Sequence, residues 1–222
     1  MSSSITDTFL SYHFELTPEE ARSFEHFLDI FIEYNHHTNL SAIRERDDII
    51  IKHCIDSLQW VPYITQYCKE NNISKPKLID IGSGGWFPWI PLKIALPELS
   101  VTLLDSVGKK VKAMEYFIQA LTLRDIEVAH GRAEVLGWDR RFHEQYTFVV
   151  SRATAYVTSI LPWCVPFLHP DGKVLLYKTP SQEEKHDMER IMHTLSLELE
   201  DVFRYTLAGW EREIFIFTRA EY

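Results

Sequence analysis

The run Leu78-Ile79-Asp80-Ile81-Gly82-Ser83-Gly84-Gly85-Trp86-Phe87-Pro88-Trp89-Ile90-Pro91 constrains this chain more than any other stretch. It reads as a buried strand, a glycine turn and the start of a helix. Such a unit lets backbone come close to a nucleotide-like ligand at the end of a strand. A bare Gly-x-Gly is common in tight turns, so its context carries the weight. Asp105 closes the next strand about 20 residues further on, where an acid accepts hydrogen bonds from ribose hydroxyls. Two tryptophans, Trp86 and Trp89, stand in a turn region where such loops keep small residues.

The charges around the turn separate cofactor classes. A dinucleotide fingerprint needs a third glycine where this chain has Phe87. A pyrophosphate also needs an open helix N-terminus, and Phe87-Pro88-Trp89 crowds it. Asp80 places a carboxylate at the carboxyl end of the strand, which suits an ammonium group better than a phosphate. S-adenosylmethionine carries an ammonium, a ribose and an adenine, and no phosphate. The pattern therefore favours a methyltransferase over a nicotinamide-dependent oxidoreductase.

At 222 residues, 45% hydrophobic and 25% charged, the chain has room for one sizeable α/β domain with an appendage. No apolar run approaches the roughly 20 residues of a membrane span, and the N-terminus lacks an export signal. A cytoplasmic protein with no membrane partner is expected. Cys54, Cys68 and Cys164 are widely spaced and form no Cys-x-x-Cys pair, so free thiols and no metal site are expected. The net charge of −9 argues against broad, nonspecific nucleic-acid binding. It leaves room for a local basic face.

Along the chain, residues 1–16 read as a loose arm. Thr17-Pro18-Glu19-Glu20 reads as a capped helix start. Phe24, Phe27, Leu28, Phe31 and Ile32 then recur at helical spacing, and residues 34–41 break the pattern. Further helices are predicted over 47–60 and 62–72. Strands and helices then alternate. Strands are predicted at 77–81, 101–105, 126–129, 146–151 and 172–177. Helices fall at 88–95, 109–121, 156–168 and 181–193. Two last strands, 195–205 and 212–218, are joined at Ala208-Gly209. The alternation predicts a mostly parallel seven-stranded sheet with a C-terminal antiparallel hairpin. Residues 1–76 are read as a helical extension packed on the core, and 77–222 as the cofactor-binding domain.

Several segments carry a further signal. They are Tyr34-Asn35-His36-His37-Thr38-Asn39-Leu40-Ser41-Ala42-Ile43, Lys52-His53-Cys54-Ile55-Asp56-Ser57-Leu58, Leu104-Asp105-Ser106 with Gly108-Lys109-Lys110, Gly131-Arg132-Ala133-Glu134, Ser151-Arg152-Ala153 and Tyr177-Lys178. In this order and spacing they resemble the bacterial small-subunit (16S) ribosomal RNA guanine-N7 methyltransferases, the RsmG or GidB type, over roughly residues 24–218. The resemblance implies a Rossmann-like class I methyltransferase fold, S-adenosylmethionine as cofactor, and 16S rRNA or the small ribosomal subunit as partner of a monomer. By the same resemblance Gly82 and Phe87 flank the methionine part of the cofactor, with Asp80 and Gly84 as further cofactor-binding residues. Asp105 holds the ribose, and Ala133 and Glu134 meet the adenine.

Arg152, His53 and Asn39 are the implied catalytic residues, with Asp56 and Ser57 supporting the same cleft. Lys109, Lys110 and Lys178, with Lys112, Arg140 and Arg141, are candidate phosphate contacts. Plainer roles compete: a core position for His53, helix capping for Asp56 and Ser57, and salt bridges for Arg132 and Arg152. Guanine N7 has an in-plane lone pair, so the implied chemistry needs alignment and water exclusion rather than a general base.

One departure stands out. The family pattern has glycine where this chain has Trp86 and Trp89. A tryptophan covers about 200 Å², comparable to what a cofactor fragment buries. The expectation from sequence is weakened cofactor binding. The alternative function is then that of an impaired homologue that binds RNA or ribosomes.

Overall fold

A computed structural model describes residues 4–38, 41–84, 87–152, 156–180 and 182–220. Seven strands form one sheet: β1 (Lys77–Ile81), β2 (Ser100–Asp105), β3 (Ile126–His130), β4 (Tyr146–Arg152), β5 (Leu168–Lys178), β6 (Leu197–Leu207) and β7 (Trp210–Arg219). Their order is β3-β2-β1-β4-β5-β7-β6. The first five run parallel, while β7 runs antiparallel to both β5 and β6. The hairpin turns at Ala208-Gly209, both with positive φ (50° and 79°), the geometry a two-residue hairpin loop requires.

Strand alternation sorts the side chains into two layers. Leu78, Phe148, Val150, Leu175, Ile214 and Ile216 face one apolar cluster, which also takes in the N-terminal helices. Ile79, Ile81, Val149, Leu176, Phe215 and Phe217 face the other. The first layer holds α1 (Ile5–Ser11), α2 (Pro18–Thr38), α3 (Arg46–Ile49), a π-helical stretch (Ile50–Ile55), α4 (Asp56–Leu58) and α5 (Val61–Glu70). It also holds α6 (Trp89–Ala95) and α7 (Gly108–Ala120). The second layer holds α8 (Ala133–Leu136), α9 (Val157–Cys164) and α10 (Gln182–Leu195). The first cluster runs unbroken from Ile5 to Ile216, so residues on both sides of position 76 share one core. No helix among the described residues is long and apolar enough to cross a membrane.

The capping box at the start of α2 forms as read: Glu20 N–H donates to Thr17 Oγ1 at 3.2 Å, and Thr17 N–H to Glu20 Oε2 at 2.7 Å. Other boundaries differ, each for a local reason. The supposed arm contains α1, because Ser4 caps it (Asp7 N–H to Oγ, 3.1 Å) and fully buried Phe9 packs 4.8 Å from Phe24. α2 runs on through Thr38, past the apparent break at residue 34. Buried Asn35 interrupts the apolar stripe because its amide holds the next loop, donating to Ser41 O at 3.0 Å and accepting from Ser41 N at 2.8 Å. α9 gives way to a 3-10 turn over Val165–Phe167, and Leu168 already pairs with Tyr146. β5 therefore starts before Gly172, through a register shift where His169-Pro170-Asp171 hide the strand. The short helix α8 is an addition to the elements read from sequence.

Candidate active site

The strand order reverses between β1 and β4, and a cavity of about 480 Å³ opens at the carboxyl ends of the strands there, the position where open α/β sheets bind ligands. Gly82, Asp105, Ala133, Glu134, Arg152 and Trp163 contribute to its wall. The glycine turn is pinned to the neighbouring strand: Gly82 N–H and Ser83 N–H both donate to Leu104 O, at 2.8 and 3.2 Å. Gly82 takes φ +79°, a left-handed conformation that costs other residues about 1–2 kcal/mol.

Asp105 is the cavity's ordered carboxylate. Its Oδ2 accepts from Gly84 N–H at 3.1 Å, its Oδ1 from Val107 N–H at 2.9 Å, and Lys110 Nζ lies 3.6 Å from Oδ2. Gly84 lies beneath this group rather than in the wall. A Cβ on Gly84 would stand 2.6 Å from Asp105 Oδ2 and 2.8 Å from Lys110 Cβ, so the close approach itself requires glycine. Lys110, a candidate phosphate contact by sequence, lines this cavity.

Asp80 is buried, and its Oδ2 finds no hydrogen-bond partner among the described residues. Burial first, and then the nearby Asp105, push its carboxyl well above the usual carboxylate range, while Arg152 pulls the other way. A cation beside Asp80 would stabilise its charged form.

Arg152 ends β4 and joins the core to the helical extension. Its Nη2 lies 2.9 Å from Asp56 Oδ2 and donates to Lys52 O at 3.0 Å. Its Cζ sits 5.8 Å from the Phe87 ring centroid and 5.6 Å from that of Tyr177. Side chains bond to backbone carbonyls of the π-helical stretch and α4: Lys52 O takes Arg152, His53 O takes Ser57 Oγ at 2.6 Å, and Ser57 O takes Tyr177 Oη at 2.7 Å. Asp56 and Ser57 thus act as braces and do not line the cavity.

His53 and Phe87 lie behind the wall. Their rings stack at 4.3 Å and 21°, and Phe87 packs edge-on against Phe27 and Phe31 at 5.8 and 5.5 Å. Burial, then the positive charge of Arg152, lower the His53 pKa to about 3. Its Nε2 meets Ser41 Oγ at 3.2 Å. Phe87, expected to flank the methionine, is a core residue that supports Arg152 and His53. Lys109 is exposed and Lys178 half-buried, and neither lines the cavity. Asn39 and Trp86 lie outside the described residues. Trp89 is fully buried, its indole N–H donates to Ser83 O at 3.2 Å, and it takes no part in the cavity wall. The bulk of Trp89, which from sequence weighed against cofactor binding, therefore lies in the core and not in the cavity.

Three site residues escaped the sequence reading. Trp163 looks like one more apolar residue of a core helix. Tyr177 carried a usable signal, since the Tyr177-Lys178 segment at the end of β5 is part of the family resemblance. Tyr205, on the edge strand β6, carried none.

A mostly parallel sheet with an acid at the end of β2 and a cavity at its switch point defines a Rossmann-like, class I methyltransferase fold. Solved structures with this fold include a 16S rRNA (adenine(1408)-N(1))-methyltransferase from Catenulisporales acidiphilia (TM-score 0.56, 12% identity, 71% of this chain and 91% of that one). A ribosomal protein L11 methylase from Lactobacillus delbrueckii subsp. bulgaricus is another (TM-score 0.53, 16% identity, 73% and 79% covered). The chain belongs to the GidB family, rRNA small subunit methyltransferase G, whose model matches residues 20–214. Relatives named ribosomal RNA small subunit methyltransferase G include one from Acetivibrio thermocellus, 38% identical over 86% of this chain and 76% of its own length. Another, from Leuconostoc mesenteroides, is 33% identical over 89% of this chain and 81% of its own.

Proposed function

We propose that this chain transfers a methyl group from S-adenosylmethionine to N7 of a guanine in 16S ribosomal RNA, acting on the small subunit in the cytoplasm. Family membership supports the reaction. The observation that carries the assignment to this cavity is the arrangement of Asp105 and Arg152 at the carboxyl ends of β2 and β4, the strands on either side of β1.

The residues present fit the cofactor. Asp105 offers carboxylate oxygens to ribose hydroxyls. Ala133, Glu134 and the Trp163 ring form the wall where an adenine edge and face would lie. Asp80 does not line the cavity, but its buried Oδ2, without a hydrogen-bond partner among the described residues, is suited to an ammonium. When bound, S-adenosylmethionine supplies an electrophilic methyl group on a sulfonium. Guanine N7 presents a lone pair, so no proton need leave before attack. The chain's task is then to hold the base in line and exclude water. Arg152, fixed by Asp56 and Lys52 O, presents its guanidinium at the cavity edge to the base or its phosphate.

Labelled methyl incorporation into small subunits from a strain lacking this methylation tests the reading. Label at a guanine N7 of 16S rRNA is the expected result. No incorporation by protein that binds S-adenosylhomocysteine would overturn it.

A further inference from the structure

We propose that Tyr205, on the C-terminal hairpin, is a positioning residue for Arg152 and acts on it through Asp56. The inference rests on the methyl-transfer reading above, in which Arg152 faces the reacting groups. Asp56 is 2% exposed and carries two different jobs on its two oxygens. Oδ2 pairs with Arg152 Nη2 at 2.9 Å, and Oδ1 accepts the Tyr205 hydroxyl at 2.8 Å. Arg212 Nε stands 3.9 Å from that same Oδ1.

A carboxylate swings about its Cβ–Cγ bond, so one partner does not set its plane. Two donors on different oxygens do. Tyr205 supplies the shorter contact on Oδ1. Without it, Asp56 Oδ1 is drawn towards the Arg212 guanidinium, and Oδ2 turns away from Arg152. The guanidinium is a rigid planar fork, so losing a fixed acceptor reorients all of its donors together. Nη2 still donates to Lys52 O, which by itself does not fix the plane of the fork.

The Tyr205 ring is itself held in place, stacked on Phe203 at 5.6 Å and 28°. Burial, and then the Asp56 carboxylate, keep its hydroxyl well above the usual titration range, so it remains a donor. Through this chain of contacts β6, α4 and the end of β4 meet at one side chain of the cavity wall. The hairpin lines none of that cavity, yet it sets the orientation of the cavity's arginine.

The test is Tyr205→Phe, which keeps the ring and removes only the hydroxyl. For methyl transfer to unmodified small subunits, kcat should fall about tenfold, the rate equivalent of one hydrogen bond to a charged group. KM for S-adenosylmethionine and the Kd of S-adenosylhomocysteine should stay within about twofold. In an Arg152→Lys background the same substitution should change kcat by less than about twofold, because its effect passes through Arg152. The Arg152 Nε–H resonance in 15N NMR should be sharp in the parent and broadened or shifted in Tyr205→Phe. A variant with the parent's kcat, a loss undiminished in the Arg152→Lys background, or an unmoved Arg152 resonance each overturns the proposal. The resonance needs no turnover: a parent that methylates no rRNA defeats the functional reading, and the NMR result still decides the positioning.

Discussion

Replacing Trp89 by glycine is the sharpest test of how the cofactor loop is built. From sequence alone the change restores a family glycine and should open the site. In the structure the Trp89 side chain is wholly buried, belongs to the cluster shared with α2 and α4, and donates its indole N–H to Ser83 O at 3.2 Å. Truncating a buried tryptophan costs about 3–5 kcal/mol. Losing the indole hydrogen bond adds about 1 kcal/mol, and glycine at the head of α6 adds up to about 1 kcal/mol more. A loss of about 4–7 kcal/mol is a large share of the 5–15 kcal/mol that holds a typical domain. For a chain of this size it lowers the melting temperature by about 10–25 °C. The assay is thermal unfolding by circular dichroism, with S-adenosylhomocysteine calorimetry below the transition. Trp89→Phe, which keeps most of the volume, should lose much less. A Trp89→Gly protein that melts within about 3 °C of the parent and binds the ligand more tightly would refute the reasoning and put the indole back in the site.

Two further outcomes follow from buried titratable groups. His53 stays neutral in the fold down to about pH 3, whereas in the unfolded chain it takes up a proton near 6.5. Stability from this group is therefore complete above pH 6.5 and falls by about 1.4 kcal/mol per pH unit as pH drops towards 3. Between pH 7 and 4.5 the urea midpoint should fall less in His53→Gln than in the parent, and equal falls would contradict the assignment. Asp80 has its pKa raised by burial and by Asp105, so the stability of its neutral form is whole below its ordinary titration and is lost as pH rises above it. Asp80→Asn, which cannot ionise, should raise the ligand-free melting temperature at pH 7.5 while weakening S-adenosylhomocysteine at least about tenfold. A lower melting temperature or an unchanged Kd counts against the role given to Asp80.

The strand–turn–helix unit was legible because its signals are local. Leu78, Ile79 and Ile81 precede Gly82 in a short apolar strand, the turn needs a positive φ there, and Asp105 falls at the end of the next strand. The capping box at Thr17 and Glu20 was legible for the same reason: it is complete within four residues. What stayed hidden depends on contacts across the chain. α1 exists because Phe9 meets Phe24, and the last turns of α2 survive because Asn35 reaches the following loop. The direction of Trp89 follows from α6 lying against the helical extension, which no periodicity reveals. The Asp56 network joins residues some 150 positions apart in the chain, so neither end announces the other. Local chemistry thus shows which strand ends face the ligand, and tertiary packing decides which of the nearby residues reach it.

The arrangement of protons at the site fits the chemistry proposed for it. Asp105 is committed to the Gly84 and Val107 amides, and Asp56 to Arg152 and Tyr205. Glu134 lines the cavity but pairs with Arg132 at 3.3 Å. Asp80 is biased towards its protonated form. His53 is neutral, yet it is stacked on Phe87 behind the wall and does not line the cavity. A nucleophile that must first lose a proton, such as an exocyclic amine, would need one of these groups released from its partner to act as base. A ring nitrogen with a lone pair in the base plane needs none of them. The same commitments that leave no ready base among the described residues of the site give Arg152 and Asp105 fixed orientations, and alignment is what attack by such a nitrogen requires.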